Sequence, residues 1–146
     1  IIAGRVRDEN LHEKITEIPN IRYVGLVLPD RLLELELSSD ALVALYDLNL
    51  QPIHKFGMAN KILEAMMCGL PVITNIAIEI VKETESGIIV EYDNEEQLKE
   101  AIVSLKDKPE LRKKLGENAR NAFIQKYNWP SMEERLFKLY DELLSS

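Results

Sequence analysis

Apolar residues along this chain fall into short runs, and between the runs they recur at helical spacing. The runs Ile1–Ala3, Ile21–Val27, Ala41–Tyr46, Pro71–Thr74 and Gly87–Tyr92 predict five β-strands. Ala41-Leu42-Val43-Ala44-Leu45-Tyr46 is apolar throughout rather than alternating, which predicts a strand covered by helices on both faces. Leu11, Ile15 and Ile18 mark one helix, and Leu32, Leu33 and Leu37 a second. A third should run from about Met58 to Cys68, closed by Gly69 with Pro71 just beyond. A short fourth is expected from Ile78 to about Lys82, ending before Gly87. Strand–helix alternation of this kind predicts parallel βαβ units with right-handed crossovers.

The last third carries helical patterns only. Leu98, Ala101, Ile102 and Leu105 form one stripe, and Leu111, Leu115, Ala119, Phe123 and Tyr127 another. Ser131 and Glu134 have the spacing of a capping box opening the final helix. The stripe Met132, Leu136, Tyr140 and Leu143 on that helix is expected to pack against the sheet. No repeat, low-complexity tract or linker interrupts the chain, so residues 1–146 are expected to form a single domain.

Composition narrows the chemistry. An apolar fraction of 46% with 29% charged residues is that of an ordinary globular protein. Cys68 is the only cysteine, which excludes an internal disulfide and a multi-cysteine zinc site. A net charge of −7 argues against nucleic acid as a partner. No apolar run approaches the roughly 18–20 residues of a membrane-spanning helix, and no secretory leader pattern is visible. The opening Ile1-Ile2-Ala3-Gly4 reads as the second half of a buried strand, so the chain is expected to begin inside a longer protein.

Several catalytic constellations are absent. Gly4 is followed by Arg5 and Val6, not by a G-x-G-x-x-G turn. There is no G-x-x-x-x-G-K-[ST] phosphate loop and no H-E-x-x-H helix. His12 lies on the polar side of its helix and should be solvated, so no nucleophile triad can be built. The segment Gln51–Lys61 is different: it holds His54, Lys55 and Lys61 and no acidic residue. It should follow the most buried strand, at the carboxyl edge where open α/β sheets bind ligands. Through Gly57 it enters the amino end of a helix, where free amides and the dipole favour an anion such as a diphosphate.

Lys61, Glu64 and Cys68 share one face of that helix, with Ile62, Leu63, Met66 and Met67 expected on the core side. Glu64 could accept hydrogen bonds from two ribose hydroxyls. The plainer alternative is a solvated Lys61–Glu64 pair worth about 0.2–0.5 kcal/mol, with His54 and Lys55 in an exposed loop. Met66, Met67 and Cys68 fit packing better than chemistry. Spacing alone leaves both readings open.

The block Asn60-Lys61-Ile62-Leu63-Glu64-Ala65-Met66-Met67-Cys68-Gly69-Leu70-Pro71-Val72-Ile73 resembles the retaining GT-B glycosyltransferases called group 1 or family 4. The resemblance extends to Ile21-Arg22-Tyr23-Val24-Gly25, Ser39-Asp40-Ala41, Glu79, Ser86-Gly87-Ile88-Ile89-Val90, Tyr127-Asn128-Trp129 and Tyr140. It implies an α/β fold: a Rossmann-like, doubly wound parallel sheet of about five strands, with helices on both faces and C-terminal helices. Such a domain is the donor-binding half of a GT-B enzyme. It also implies a nucleoside-diphosphate sugar as donor, transfer with retention, and no bound metal or other cofactor. Glu64 matches the family glutamate that holds the ribose hydroxyls. Gly57, Met58, Ala59 and Asn60 match the amides facing the sugar diphosphate. Gly4 and Gly25, Leu26 and Val27 lie where the family surrounds the base.

Two departures from the family pattern stand out. A glutamate often found eight positions before the ribose glutamate is replaced by Phe56, which bears on the sugar-hydroxyl contact. In the related "P-N-K-L-x-E" variant Ala59 replaces the proline, and Lys61 matches the lysine, a candidate phosphate contact. The family's first strand, its arginine–lysine phosphate clamp and its acceptor-binding amino-terminal domain have no counterpart here. The chain alone is therefore expected to be inactive, with an exposed sheet seam that favours self-association. Two alternatives stay open: a GT-B nucleotide-sugar epimerase and a non-catalytic nucleotide- or partner-binding module. The cytoplasm, or the inner membrane surface for the full-length protein, is the expected location.

Overall fold

Among the described residues five short strands and seven helices alternate and then give way to helices, as the apolar pattern predicts. The structure is a computed structural model that describes residues 1–50 and 59–145. It divides into two compact units, Ile1–Ser38 and Ser39–Ser146.

The first unit comprises β1 (Ile2–Ala3), α1 (Glu9–Glu17), β2 (Tyr23–Gly25) and α2 (Pro29–Leu37). β1 and β2 are parallel, with Ile2 opposite Tyr23 and Ala3 opposite Gly25. Asp8 starts α1 by accepting the Leu11 amide at 3.0 Å. Pro29 starts α2, where its missing amide removes no hydrogen bond.

The second unit contains β3 (Leu42–Ala44), α3 (Asn60–Cys68), β4 (Val72–Thr74), α4 (Ile78–Thr84) and β5 (Gly87–Ile89). α5 (Glu95–Asp107), α6 (Pro109–Gln125) and α7 (Trp129–Leu144) follow. The sheet order is β3-β4-β5, with both pairings parallel. Period-two alternation splits the core between the faces of this sheet. Val72 packs with Ala44, Ile62, Met66, Val81 and Ala119, on the side of α3 and α4. Ile73 packs with Val90, Ala101, Leu105 and Leu115, on the side of α5. α6 reaches both clusters, through Ala119 and Leu115. The fold class is thus α/β with parallel strands and helices on both faces of this sheet, as expected for half of a Rossmann-like GT-B fold.

Gly69 ends α3 in the left-handed region (φ 69°, ψ 33°), where a side chain on Cα is costly. The Leu70 amide then reaches the Ala65 carbonyl at 2.8 Å, closing a Schellman turn. The Arg120 guanidinium donates to the Met67 carbonyl, tying α6 to the end of α3. Lys126, just past α6, pairs with Glu83 of α4, and that hydrogen bond holds its ammonium pKa above the ordinary value.

Four expectations need correction. The most buried strand is β4, between its two neighbours, whereas Val43 of β3 is half open. On α3 the fully buried residues are Ile62, Ala65 and Met66, with Met67 only partly covered. The final helix is not opened by Ser131: Asn128 is the cap, and its Oδ1 accepts the Ser131 amide at 3.0 Å. Asn128 wins because its amide group also donates to the Phe123 and Ile124 carbonyls, joining two helix ends at once. Lastly, α7 does not bury its stripe in the sheet. Met132 packs on the core, but Leu136, Phe137, Leu139 and Tyr140 are exposed.

Candidate functional site

β3 ends at Ala44, and the backbone at Tyr46 beyond it is fixed by the side chain of Asn75, just past β4, rather than by the ladder. Ala44 faces Thr74 in the register, and the Thr74 hydroxyl donates to the Ala44 carbonyl at 2.8 Å. One step on, Asn75 is 6% exposed. Its Oδ1 accepts the Tyr46 amide at 2.9 Å and its Nδ2 donates to the Tyr46 carbonyl at 2.8 Å. A carboxamide has both a donor and an acceptor, so it can replace a backbone peptide where the strand has run out.

α3 begins beside this edge. Ala59, 7% exposed, occupies the cap position and offers no side-chain acceptor. The first turn contains no carboxylate to neutralise the positive end of the helix dipole. Asn60 and Lys61 are exposed in that turn. The Lys61 ammonium lies 5.5 Å from the centroid of the Tyr46 ring, within range of a cation–π attraction. Glu64, one turn on, is half-buried and receives no hydrogen bond or ion pair among the described residues. Lys61 therefore engages the ring and not Glu64, in contrast to the solvated pair that spacing alone allows. Cys68 is half-buried and packs on the core.

The expected positions fall into three groups. Lys61, Glu64, Ala59 and Asn60 are brought together at the start of α3. Phe56, Gly57 and Met58, with His54 and Lys55, lie outside the described residues. Gly4, Gly25, Leu26 and Val27 belong to the first unit. There the Gly4 amide donates to the Gly25 carbonyl at 2.8 Å, and the Tyr23 hydroxyl donates to the Gly4 carbonyl at 2.8 Å. Both glycines have positive φ, 128° and 69°, and a Cβ on either would meet no atom within 4 Å among the described residues beyond its chain neighbours. Leu26 is 73% exposed beside them.

Sequence reasoning missed Tyr46 and Asn75. The only signal was that Tyr46 is the polar-tipped last residue of an apolar strand entering the basic segment. A cleft of about 460 Å³ also opens at the carboxyl ends of β4 and β5, lined by Leu48, Asn75, Ile78, Ile89, Tyr92 and Gln97. No described helix is long and apolar enough to cross a membrane.

Comparison with known proteins points to glycosyltransferases. Two glycosyltransferases of Methanocaldococcus jannaschii are similar to the chain. One is 40% identical over 95 residues, covering 63% of this chain and 27% of the relative. The other is 29% identical over 92 residues, covering 61% and 24%. A capsular polysaccharide biosynthesis glycosyltransferase of Staphylococcus aureus is 33% identical over 96 residues, covering 64% of this chain and 25% of the relative. The matched part thus spans about a quarter of the length of these relatives. The family model described as "Glycosyl transferases group 1" matches residues 1–108, a stretch that holds the five described strands, the first five described helices and the Lys61–Glu64 turn. The chain belongs to the group 1 glycosyltransferases.

Proposed function

We propose that the chain supplies the donor-binding part of a glycosyltransferase that takes a sugar from a nucleoside diphosphate and transfers it with retention. The observation that carries this reading is the start of α3. A half-buried carboxylate without a hydrogen-bond or ion-pair partner among the described residues stands one turn from a lysine with no ion pair among them, at a helix amino end lacking acidic residues. Glu64 accepts the two ribose hydroxyls. Lys61 and the amides of Ala59 and Asn60 face the diphosphate.

The chemistry follows from charge. As the glycosidic bond breaks, negative charge grows on the departing diphosphate. Fixed donors aimed at that charge stabilise the transition state more than the ground state. Losing one such donor costs about 10²–10³ in rate. The donors assigned here require neither a metal nor a further cofactor. We assign the acceptor to a part of the protein outside this chain, so the chain binds donor without turning it over.

Calorimetric titration with UDP, GDP and ADP and their sugar conjugates tests the reading. One nucleotide should bind selectively, and Glu64→Ala should weaken it at least about tenfold, the loss of a charged hydrogen-bond acceptor. Equal binding by Glu64→Ala, or no nucleotide binding by the wild type, would remove the donor-site assignment.

A further inference from the structure

The assignment of Lys61 to the donor diphosphate raises the question of what holds it there. Lysine has a flexible four-carbon stem, so an exposed lysine at a helix start samples many positions. In a chain with 25 acidic and 18 basic residues, the common way to hold it would be a carboxylate. A carboxylate would also quench its charge and occupy its donors. Here the ammonium rests 5.5 Å from the centre of the Tyr46 ring instead. The ring's negative face attracts a cation without neutralising it and leaves the N–H groups available to an anion.

The ring itself is anchored. Tyr46 lies beyond the paired end of β3, where a strand would normally be free to splay. Buried Asn75 prevents this by bonding both the amide and the carbonyl of Tyr46, at 2.9 and 2.8 Å. The residue that follows the central strand thereby fixes one two positions past the ladder. That residue in turn fixes a charge on the neighbouring helix.

We propose that Tyr46 is a positioning residue of the donor site: held by Asn75, its ring seats the Lys61 ammonium so that the charge is presented undiminished to the nucleotide diphosphate. The proposal rests on the donor-site reading and goes beyond it, because it concerns a residue that need not touch the donor. It makes the effect specific to phosphate. A nucleoside without phosphates has nothing for Lys61 to meet and is indifferent to Tyr46.

Tyr46→Phe, Tyr46→Leu, Lys61→Met and the double variant Tyr46→Leu/Lys61→Met are titrated alongside the wild type. The probes are whichever of UDP, GDP and ADP binds most tightly and the matching nucleoside. Tyr46→Phe keeps the aromatic face and should keep its affinity. Tyr46→Leu should bind the diphosphate about three- to tenfold more weakly, the range expected of an exposed to partly desolvated cation–π contact. Nucleoside binding should not change. On the Lys61→Met background, Tyr46→Leu should have no further effect.

A measurement on the unmutated protein stands beside these. The Lys61 Cε protons should carry an upfield ring-current shift in the carbon–proton NMR spectrum. Its absence overturns the proposal even if Tyr46→Leu fails to fold. Equal diphosphate binding by wild type and Tyr46→Leu, equal losses for diphosphate and nucleoside, or a loss in Tyr46→Phe matching that of Tyr46→Leu would also overturn it. Each of these would leave the donor site standing. A wild type that binds no nucleoside diphosphate removes the donor site itself, and this proposal with it.

Discussion

Two glycines of the second unit are required by neighbouring backbone rather than by their own torsions. A Cβ on Gly116 would stand 2.3 Å from the Gly69 carbonyl oxygen, and one on Gly87 would stand 2.2 Å from the Val72 oxygen. Gly116 decides between two opposed effects. In the interior of a helix, alanine is favoured over glycine by about 1 kcal/mol. Forcing an extra carbon against a close-packed neighbour costs about 1–3 kcal/mol. The neighbour is a backbone oxygen at the cap of α3, which cannot rotate away as a side chain would, so the clash should win. Gly116→Ala is expected to lower stability by about 1 kcal/mol or more, measured by urea unfolding at unchanged m-value. A stabilised variant would mean that α6 can move off α3 more easily than its tie through Arg120 implies.

Between elements, one side chain joins α6 to α7. Asn128 accepts the Ser131 amide and donates to two carbonyls at the end of α6. Its truncation to alanine should cost about 1–2 kcal/mol, the upper part of the range for a lost cap. Ser131→Ala should stay within about 0.5 kcal/mol, because Ser131 uses its backbone amide at the cap. Thermal unfolding of the two variants ranks them, and the reverse order would restore the capping box read from the sequence. The same helix shows what periodicity leaves open. Met132, Leu136 and Tyr140 repeat as a core-facing stripe would, yet only Met132 reaches the core. Spacing predicts which residues share a face. Whether another element covers that face depends on where the chain turns after Tyr127.

For the molecule as a whole, the buried apolar residues all lie between Ala44 and Tyr127. Within the first unit only Glu36 is buried. Protection against amide hydrogen exchange follows burial and contact density. The amides of β4 and of the buried side of α3 should therefore exchange last, near the global unfolding free energy. Those bonding β1 to β2, such as the Ile2 amide on the Arg22 carbonyl, should exchange at a distinctly lower free energy. Native-state exchange read residue by residue checks this, and uniform protection across Ile2–Gly25 and Val72–Ile89 would contradict it. The matched family region, residues 1–108, thus includes both the well-buried β4 and the sparsely buried first unit.

Local patterning by itself determined the element order. The five strands and seven helices of the described residues follow from runs, helical spacing and stop signals such as Gly69, because these depend on near neighbours. It also determined that Lys61 and Glu64 share the first two turns of α3, since residues three apart on a helix are always neighbours. The strands proved shorter than their apolar runs, because a ladder ends where its partner strand ends: Ala41–Tyr46 reads as a strand, but only Leu42–Ala44 pair with β4. What Lys61 would touch was undecided for a similar reason. Tyr46 is 15 residues from Lys61 and Asn75 is 29 residues from Tyr46. Such contacts have no local signature, because parallel pairing sets them by bringing distant carboxyl ends side by side. Only the tertiary structure could seat the lysine on a ring instead of beside the nearest carboxylate.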